Sequence, residues 1–204
     1  MPSLPVACIV EGHGEVEAVP ILIRRIAAQI DPGLSIHVKR PLRVPRFRLV
    51  CEQELERAIE LAARHVGRQG GIPVRVDGED DCPAKLGPQL LARACKTRSD
   101  LPIGVVLAKH EFEAWFLAAA ESLRGKRELA DDLTSPPDPE SIHDAKKWLR
   151  QRMAGGRTYS ETLDQPALTA LFDLDAATQR SDSFEKCLRE ITNLIKSVQR
   201  GRES

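Results

Sequence analysis

The chain has no excess of charge of either sign, 30 Lys and Arg residues standing against 30 Asp and Glu. A global basic field, the usual footprint of a simple nucleic-acid-binding module, is therefore missing, although a local patch can still serve that purpose. Cysteine is present but not paired in sequence. Cys8, Cys51, Cys82, Cys95 and Cys187 are scattered, odd in number and without a C-x-x-C spacing, which argues against zinc and for the reduced thiols of a cytoplasmic protein. The N-terminus, MPSLPVACIV, lacks the basic region and long apolar stretch of a secretory leader. No apolar run approaches the ~20 residues that span a bilayer, so no membrane attachment is expected. Internal repeats and low-complexity tracts are lacking too.

What is present is an ordinary globular composition. With 204 residues, 42% hydrophobic and 29% charged, the chain can bury a sizeable core without disulfides. LPVACIV (4–10) reads as a buried strand, and Val16, Val19, Leu22, Ile26 and Ile30 then recur at helical spacing, with Pro20 tolerable only near the helix start. SIHVKRPLRVP (35–45) reads as an extended edge segment, because Pro41 and Pro45 exclude a central strand. A helix over 52–66, a strand and acidic turn over 71–81, a helix over 84–96, a strand over 102–111 and a helix over 112–123 follow. This alternation predicts an α/β fold, a mainly parallel sheet flanked by helices. TSPPDPES (134–141) is a proline-rich break, and beyond it only helical patterns recur. The expected organisation is thus an α/β domain over 1–133 and a helical C-terminal extension over 134–204 packed on it, with Phe184, Leu188, Ile191, Ile195 and Val198 as the docking stripe.

Three of the predicted strands end on carboxylates: Glu11, then Asp77 with Glu79, then Glu111 with Glu113. Ligand sites of open α/β sheets lie beyond the carboxyl ends of the strands, so these acids are expected to converge. Carboxylates brought together raise one another's pKa, and a divalent cation relieves the repulsion; oxygen-only donors favour Mg²⁺ or Mn²⁺ over zinc. Glu11 lies in IVEGHGEVEAVP, whose Gly12 and Gly14 allow a tight turn and close backbone approach. That stretch has neither the third glycine of a dinucleotide fingerprint nor a Walker lysine. Glu15 reads equally as a site residue or as a first-turn helix acid, and Glu17 as a solvated one.

Asp77 and Glu79 have the i, i+2 spacing that puts two side chains on one side of an extended segment. Asp80 and Asp81 read first as a solvated turn or as N-cap acids before Pro83. Lys109, Glu111 and Glu113 share a face if 109–113 is extended, whereas Glu111 and Glu113 diverge if the helix has begun. Lys109 can then stabilise phosphoryl charge or form a surface ion pair. His110 reads as a solvated or capping residue, Trp115 and Phe116 as core. KRPLRVPRFR (39–48) holds Lys39, Arg40, Arg43, Arg46 and Arg48 and no acid, either a phosphate-contacting strip or a charged edge strand protected from aggregation. In GGRTYSETLDQP, Arg157, Tyr159 and Gln165 can contact substrate or simply order a loop.

Glutamate within E-G-x-G-E at a first strand end, followed by a D-x-D-like pair at a later one, resembles the Toprim domain of primases, type II and IA topoisomerases and overcoming-lysogenization-defect nucleases. IVEGHGEVEAVP, VDGEDDCP and HEFEAWFLA together resemble a Toprim-like family of uncharacterised bacterial proteins, a likeness that extends through YSETLDQPALTALFDLD. Members are often encoded beside an ATPase, and related pairs are implicated in anti-phage defence. The resemblance implies that Glu11 is the Toprim acid/base or metal ligand and that Asp77 and Glu79 form the metal pair. Glu79 replaces the second aspartate, and Asp81 can deputise. Glu113, with Glu111, matches the family's E-A-W element.

The expectation is a Mg²⁺- or Mn²⁺-dependent nuclease acting on DNA or RNA. Glu11 and Lys109 are its catalytic candidates, and Glu11, Glu15, Asp77, Glu79, Asp81, Glu111 and Glu113 its metal candidates. The alternatives are a non-catalytic regulatory or sensor subunit of a partner ATPase and a nucleotide-hydrolysing phosphotransfer enzyme. A homo-oligomer is compatible with the sequence.

Overall fold

The computed structural model describes residues 3–203; Met1 and Pro2, which open both the expected first domain and the segment read for a leader, and Ser204, which closes the second, lie outside the described residues. The chain runs β1 (Leu4–Val10), α1 (Glu15–Ile30), β2 (Ile36–Arg43), a single-turn α2 (Arg46–Leu49), α3 (Glu54–Val66), β3 (Ile72–Asp77), α4 (Pro83–Thr97) and β4 (Ile103–Ala108). Short α5 (Ala114–Ala118) and α6 (Ala145–Arg150) follow, then α7 (Glu161–Thr169), α8 (Leu174–Arg180) and the long α9 (Asp182–Glu203). The four strands are all parallel, in the order β2-β1-β3-β4. This is the α/β architecture expected from the alternating pattern, and among the described residues no helix is long and apolar enough to cross a membrane.

Period-two alternation sorts the strand residues between two cores. Leu4, Val6, Cys8 and Val10 of β1 face the layer built by α1, α9 and the other C-terminal helices, whereas Ala7 and Ile9 face α3 and α4. Ile72, Val74 and Val76 of β3 and Val105 and Leu107 of β4 also face α3 and α4. Residues 134–203 are no loose appendage: Phe172, Phe184, Ile191, Leu194 and Ile195 join the same buried cluster as Val6, Ile23 and Trp115. Helix α9 crosses the sheet where β3 and β4 are thinnest. A Cβ on Gly71 would stand 2.6 Å from Leu194 Cδ2, and one on Gly104 would touch Leu194 Cδ1 at 3.5 Å. Burying α9's apolar stripe contributes on the order of 10 kcal/mol of gross transfer free energy.

Two local expectations need correction. Pro20 lies in the second turn of α1 rather than at its start, so the ladder loses the bond to the Val16 carbonyl; burial of Pro20 in the apolar layer retains it there. The helix expected over 112–123 breaks after Ala118. The Ser135 hydroxyl accepts the Ala120 N–H at 3.2 Å and donates to the Ala118 carbonyl at 3.2 Å, competing with the helical ladder, and a 3-10 turn takes over at Ala120–Leu123. On β2, Ala7 pairs with Lys39 but Ile9 with Leu42, so Pro41 falls at a bulge of the edge strand, where its missing N–H costs nothing.

Candidate functional site

The strand order changes direction between β1 and β3, because from β1 the chain crosses to β2 on one side and then to β3 on the other. Such a switch point opens a crevice at the carboxyl ends of the two strands. Glu11 directly follows β1 and Asp77 ends β3, and the two acids meet there: Glu11 Oε2 accepts the Asp77 N–H at 3.1 Å. A cleft of about 390 Å³ opens above them, lined by Glu11, Glu15, Asp77 and Glu79 on the acidic side and by Arg43, Arg46 and Lys146 on the basic side.

Beneath the cleft lies Arg75, a buried guanidinium that the sequence reading passed over. It shares a face of β3 with Asp77 and donates to both Asp77 Oδ1 and Glu15 Oε1. The Phe112 and Trp115 rings cover it, with centroids 5.0 and 5.5 Å away. Burial works against the charged guanidinium, but Asp77 and Glu15 outweigh it and hold its proton more firmly than usual. The signal in the sequence is a lone arginine inside the apolar strand IPVRVD, two residues before the acid. Glu15 is thereby a site residue and a helix acid at once: one oxygen takes Arg75, while Oε2 accepts the Glu11 N–H at 3.1 Å. Burial pushes its carboxyl above the ordinary range, against the pull of Arg75.

The Asp77–Glu79 pair does not share an extended face. The strand stops at Asp77, and Glu79 adopts a left-handed backbone with φ 47°, its amide donating to the His110 carbonyl at 3.3 Å. His110 also has positive φ, and its Nδ1 lies 2.8 Å from the Glu79 carbonyl oxygen, so the turns after β3 and β4 are laced together. Glu79 therefore stands on the outer rim, 3.3 Å from Arg46 Nη1, and Asp81 pairs with the same guanidinium. Arg46 in turn donates from Nε to the Asp77 carbonyl at 3.0 Å.

Residues 109–113 are not a continuation of β4, which ends at Ala108. Lys109 is exposed and outside the cleft lining. The lysine in the cleft is Lys146, near the start of α6, with Nζ 3.6 Å from Glu161 Oε2 and 3.9 Å from Glu113 Oε2. Burial opposes the ammonium, yet Glu113, Glu111 and Glu161 together raise its pKa. Glu111 Oε2 accepts the Lys146 N–H at 3.2 Å, and burial holds its carboxyl high, as it does that of Glu11, where repulsion from Asp77 adds to the effect. Glu113 is sealed from solvent and pushed up to about 8 by burial, with Lys146 opposing. Its Oε1 accepts the Tyr159 hydroxyl at 2.8 Å and Gln165 Nε2 at 3.2 Å, while Oε2 has no hydrogen-bond partner among the described residues. Tyr159 and Gln165 thus hold a site carboxyl, whereas Arg157 clamps the buried Asp164.

Glu161, the first residue of α7, also lines the cleft, although nothing in its local sequence marks it as a site residue. Its Oε1 accepts the Gly14 N–H at 3.2 Å, and the two glycines of the opening loop make room for it. A Cβ on Gly12 would stand 2.8 Å from Glu161 Oε1, and one on Gly14 would collide with the Glu161 carbonyl and the Gln165 amide oxygen. Neither glycine has positive φ, so close approach, not turn geometry, requires them. Of the basic strip, Arg43 and Arg46 reach the cleft, Arg48 is paired with Glu54, and Lys39 and Arg40 lie further back on the edge strand β2.

A family model described as a domain of unknown function (DUF4276) matches residues 10–192. The chain belongs to this family. The match runs from the last residue of β1 into α9, and so covers each residue of the cleft and both halves of the fold. No curated protein and no solved structure matches the chain.

The donor set can be weighed for a cation. Ion pairs to Glu11, Glu15, Asp77, Glu111, Glu113 and Glu161 come, among the described residues, from Arg75 and Lys146 alone, which leaves negative charge uncompensated. Glu11 Oε1 and Asp77 Oδ2 accept no hydrogen bond among the described residues. No group of three or more His, Cys, Asp or Glu among them is arranged as an all-protein metal cage. Mg²⁺ needs no such cage, because it keeps several waters and binds through one or two carboxylates together with substrate phosphates. The residues fit that hard, sparsely liganded cation.

Proposed function

We propose that this chain is a metal-dependent phosphodiester-cleaving nuclease of Toprim type, with its reaction centre between Glu11 and Asp77. The observation that carries the reading is the surplus of carboxylates at the switch point, where two acids from separate strand ends meet, each with one oxygen that accepts no hydrogen bond among the described residues, in a cleft also lined by cations. Glu11 and Asp77, with Glu111 beside them, would hold Mg²⁺ or Mn²⁺. Such an ion, when bound, polarises a phosphoryl oxygen and makes a bound water more acidic. Glu11, the carboxylate at the tip of β1, would accept the proton of the attacking water. Lys146, Arg43 and Arg46 bind and orient the phosphodiester, and Arg75 fixes Asp77 from below. The family resemblance extends the reading to an effector that works with a partner ATPase in anti-phage defence.

Purified protein is expected to nick plasmid DNA, or to cleave RNA, with Mg²⁺ or Mn²⁺. Glu11→Gln and Asp77→Asn should each lower the rate by about 10² or more, with circular dichroism confirming the fold. Cleavage that persists in both variants would refute the assignment.

One observation favours a second reading, a non-catalytic subunit of a partner ATPase. Arg75 already supplies positive charge to Glu15 and Asp77, so part of the cluster is neutralised without a metal. Co-purification with an ATPase, together with cellular function unchanged in Asp77→Asn, would decide for it; wild-type cleavage lost in Asp77→Asn would decide against it.

A further inference from the structure

We infer that Phe47 is a stacking platform for an unpaired nucleobase, so that the cleft takes its substrate as a single strand or a frayed end. The inference rests on the nuclease reading above and names the substrate class of that site. Phe47 is the most exposed of the large apolar side chains, with 69% of its surface open, and it lines the same cleft as Glu11 and Asp77. Isolated exposed apolar residues are common and by themselves mean little. This one differs in how it is presented.

Its backbone is held from both sides. Arg46 rests on the Asp77 carbonyl at 3.0 Å, Arg48 pairs with Glu54, Leu49 is fully buried, and the Phe47 carbonyl accepts the Cys51 thiol at 3.0 Å. The ring is thus displayed from an anchored turn, one residue from a guanidinium that touches the end of β3. Cations share its cleft. Arg43 on the adjoining edge strand lines the cleft with it, is exposed and forms no ion pair among the described residues, which leaves it available to phosphates. An aromatic face beside an unpaired arginine, in a cleft that also presents Arg46 and Lys146, is the arrangement that binds single strands, the base stacking while the cations track the backbone. A base-paired duplex offers no free base face to such a ring, so duplex binding gains nothing from it.

The test uses the full chain in EDTA, so that binding is read without cleavage. Fluorescence anisotropy with labelled oligo-dT, oligo-U and a blunt duplex of the same length compares wild type, Phe47→Ala and Phe47→Trp. Phe47→Ala should bind the single strands roughly tenfold more weakly and the duplex unchanged. Phe47→Trp should retain affinity, and its added emission should be quenched by the single strands beyond any change in wild type, whose Trp115 and Trp148 are buried. The oligo-dT and oligo-U arms separate DNA from RNA as the source of the base. Single-strand affinity that is equal in wild type and Phe47→Ala, or no added quenching in Phe47→Trp, overturns the inference while leaving the nuclease reading to its own test. Phe47-dependent binding without cleavage under any divalent ion would sink the nuclease reading and keep the stacking site.

Discussion

Replacing Arg75 with methionine tests how the carboxylate cluster is held. Methionine matches much of the arginine stem and keeps contact with Phe112 and Trp115, so the perturbation is chiefly loss of charge. It strands Glu15, only 2% exposed, and Asp77, whose side chain is 14% exposed. Removing one partner of a buried pair costs about 3–5 kcal/mol, because the remaining charge is left in a poor solvent. The Glu15 share of that cost depends on pH. Burial already raises the Glu15 carboxyl above its unfolded value of 4.5, and Arg75 is the strongest influence opposing that rise. A carboxyl raised in the folded state stabilises the fold below its unfolded pKa, and that contribution is lost as pH climbs through the folded value. Without Arg75 the folded value moves up from about 7, so the loss at pH 8 deepens by about 1.4 kcal/mol as that value climbs to 8, and no further beyond it. Near pH 5, where Glu15 is protonated in the fold, its share of the difference disappears and only the share due to Asp77 remains. Urea unfolding followed by tryptophan fluorescence should therefore give a loss of about 2–4 kcal/mol at pH 8, of which about 1–1.5 kcal/mol disappears by pH 5. Adding Glu15→Gln to the variant should restore a large part of the pH 8 loss. A variant as stable as wild type at pH 8, or a loss that is the same at both pH values, would refute the account.

Three further substitutions probe the packing around the cleft. Glu113 is fully buried with its carboxyl pushed up to about 8 against an unfolded 4.5, so its contribution to stability is present at low pH and lost between those values as pH rises. Glu113→Gln, which keeps an acceptor for Tyr159, should match wild type in thermal melts at pH 5 and exceed it at pH 9 by roughly 2–4 kcal/mol; equal melts at pH 9 would contradict the burial argument. Gly14→Ala should cost about 1–3 kcal/mol by forcing α7 away from α1, because its new Cβ meets the Glu161 backbone. Gly12→Ala, whose nearest neighbour is the movable tip of Glu161 at 2.8 Å, should cost less, and the reverse order in urea titrations would count against close packing as the reason for these glycines.

The parts of the fold that could be read in advance are those written in local period and punctuation. β1, β3 and β4 are short apolar runs bounded by turn residues, and once they alternate with helices the parallel order follows, which is why the meeting of Glu11 and Asp77 could be expected from residues far apart in sequence. Glu79 went astray for a local reason: i, i+2 spacing places side chains together only while the strand lasts, and Gly78 and Glu79 already turn the chain. Arg75 was legible in principle, since it shares the Asp77 face of its strand, but an arginine in a buried strand reads as an exception until its partners are known. Lys146 and Glu161 were not legible. They reach the cleft because helices beyond residue 134 fold back across the start of α1, a long-range packing event whose sole local trace is the pair of glycines that admits it.

The same facts bear on how a reaction centre can be assembled from acids. A cluster neutralised only by a bound cation would lose its fold with the ion, as small metal-dependent domains do. Here Arg75 holds Asp77 and Glu15 from below while Lys146 holds Glu113 and Glu161 from the side, so the walls stand on protein charges alone. Glu11 Oε1 and Asp77 Oδ2 accept no hydrogen bond among the described residues, and both residues line the cleft. A cation of the proposed reaction would then find Glu11 and Asp77 already held in place, with the walls of its site standing whether or not it is bound.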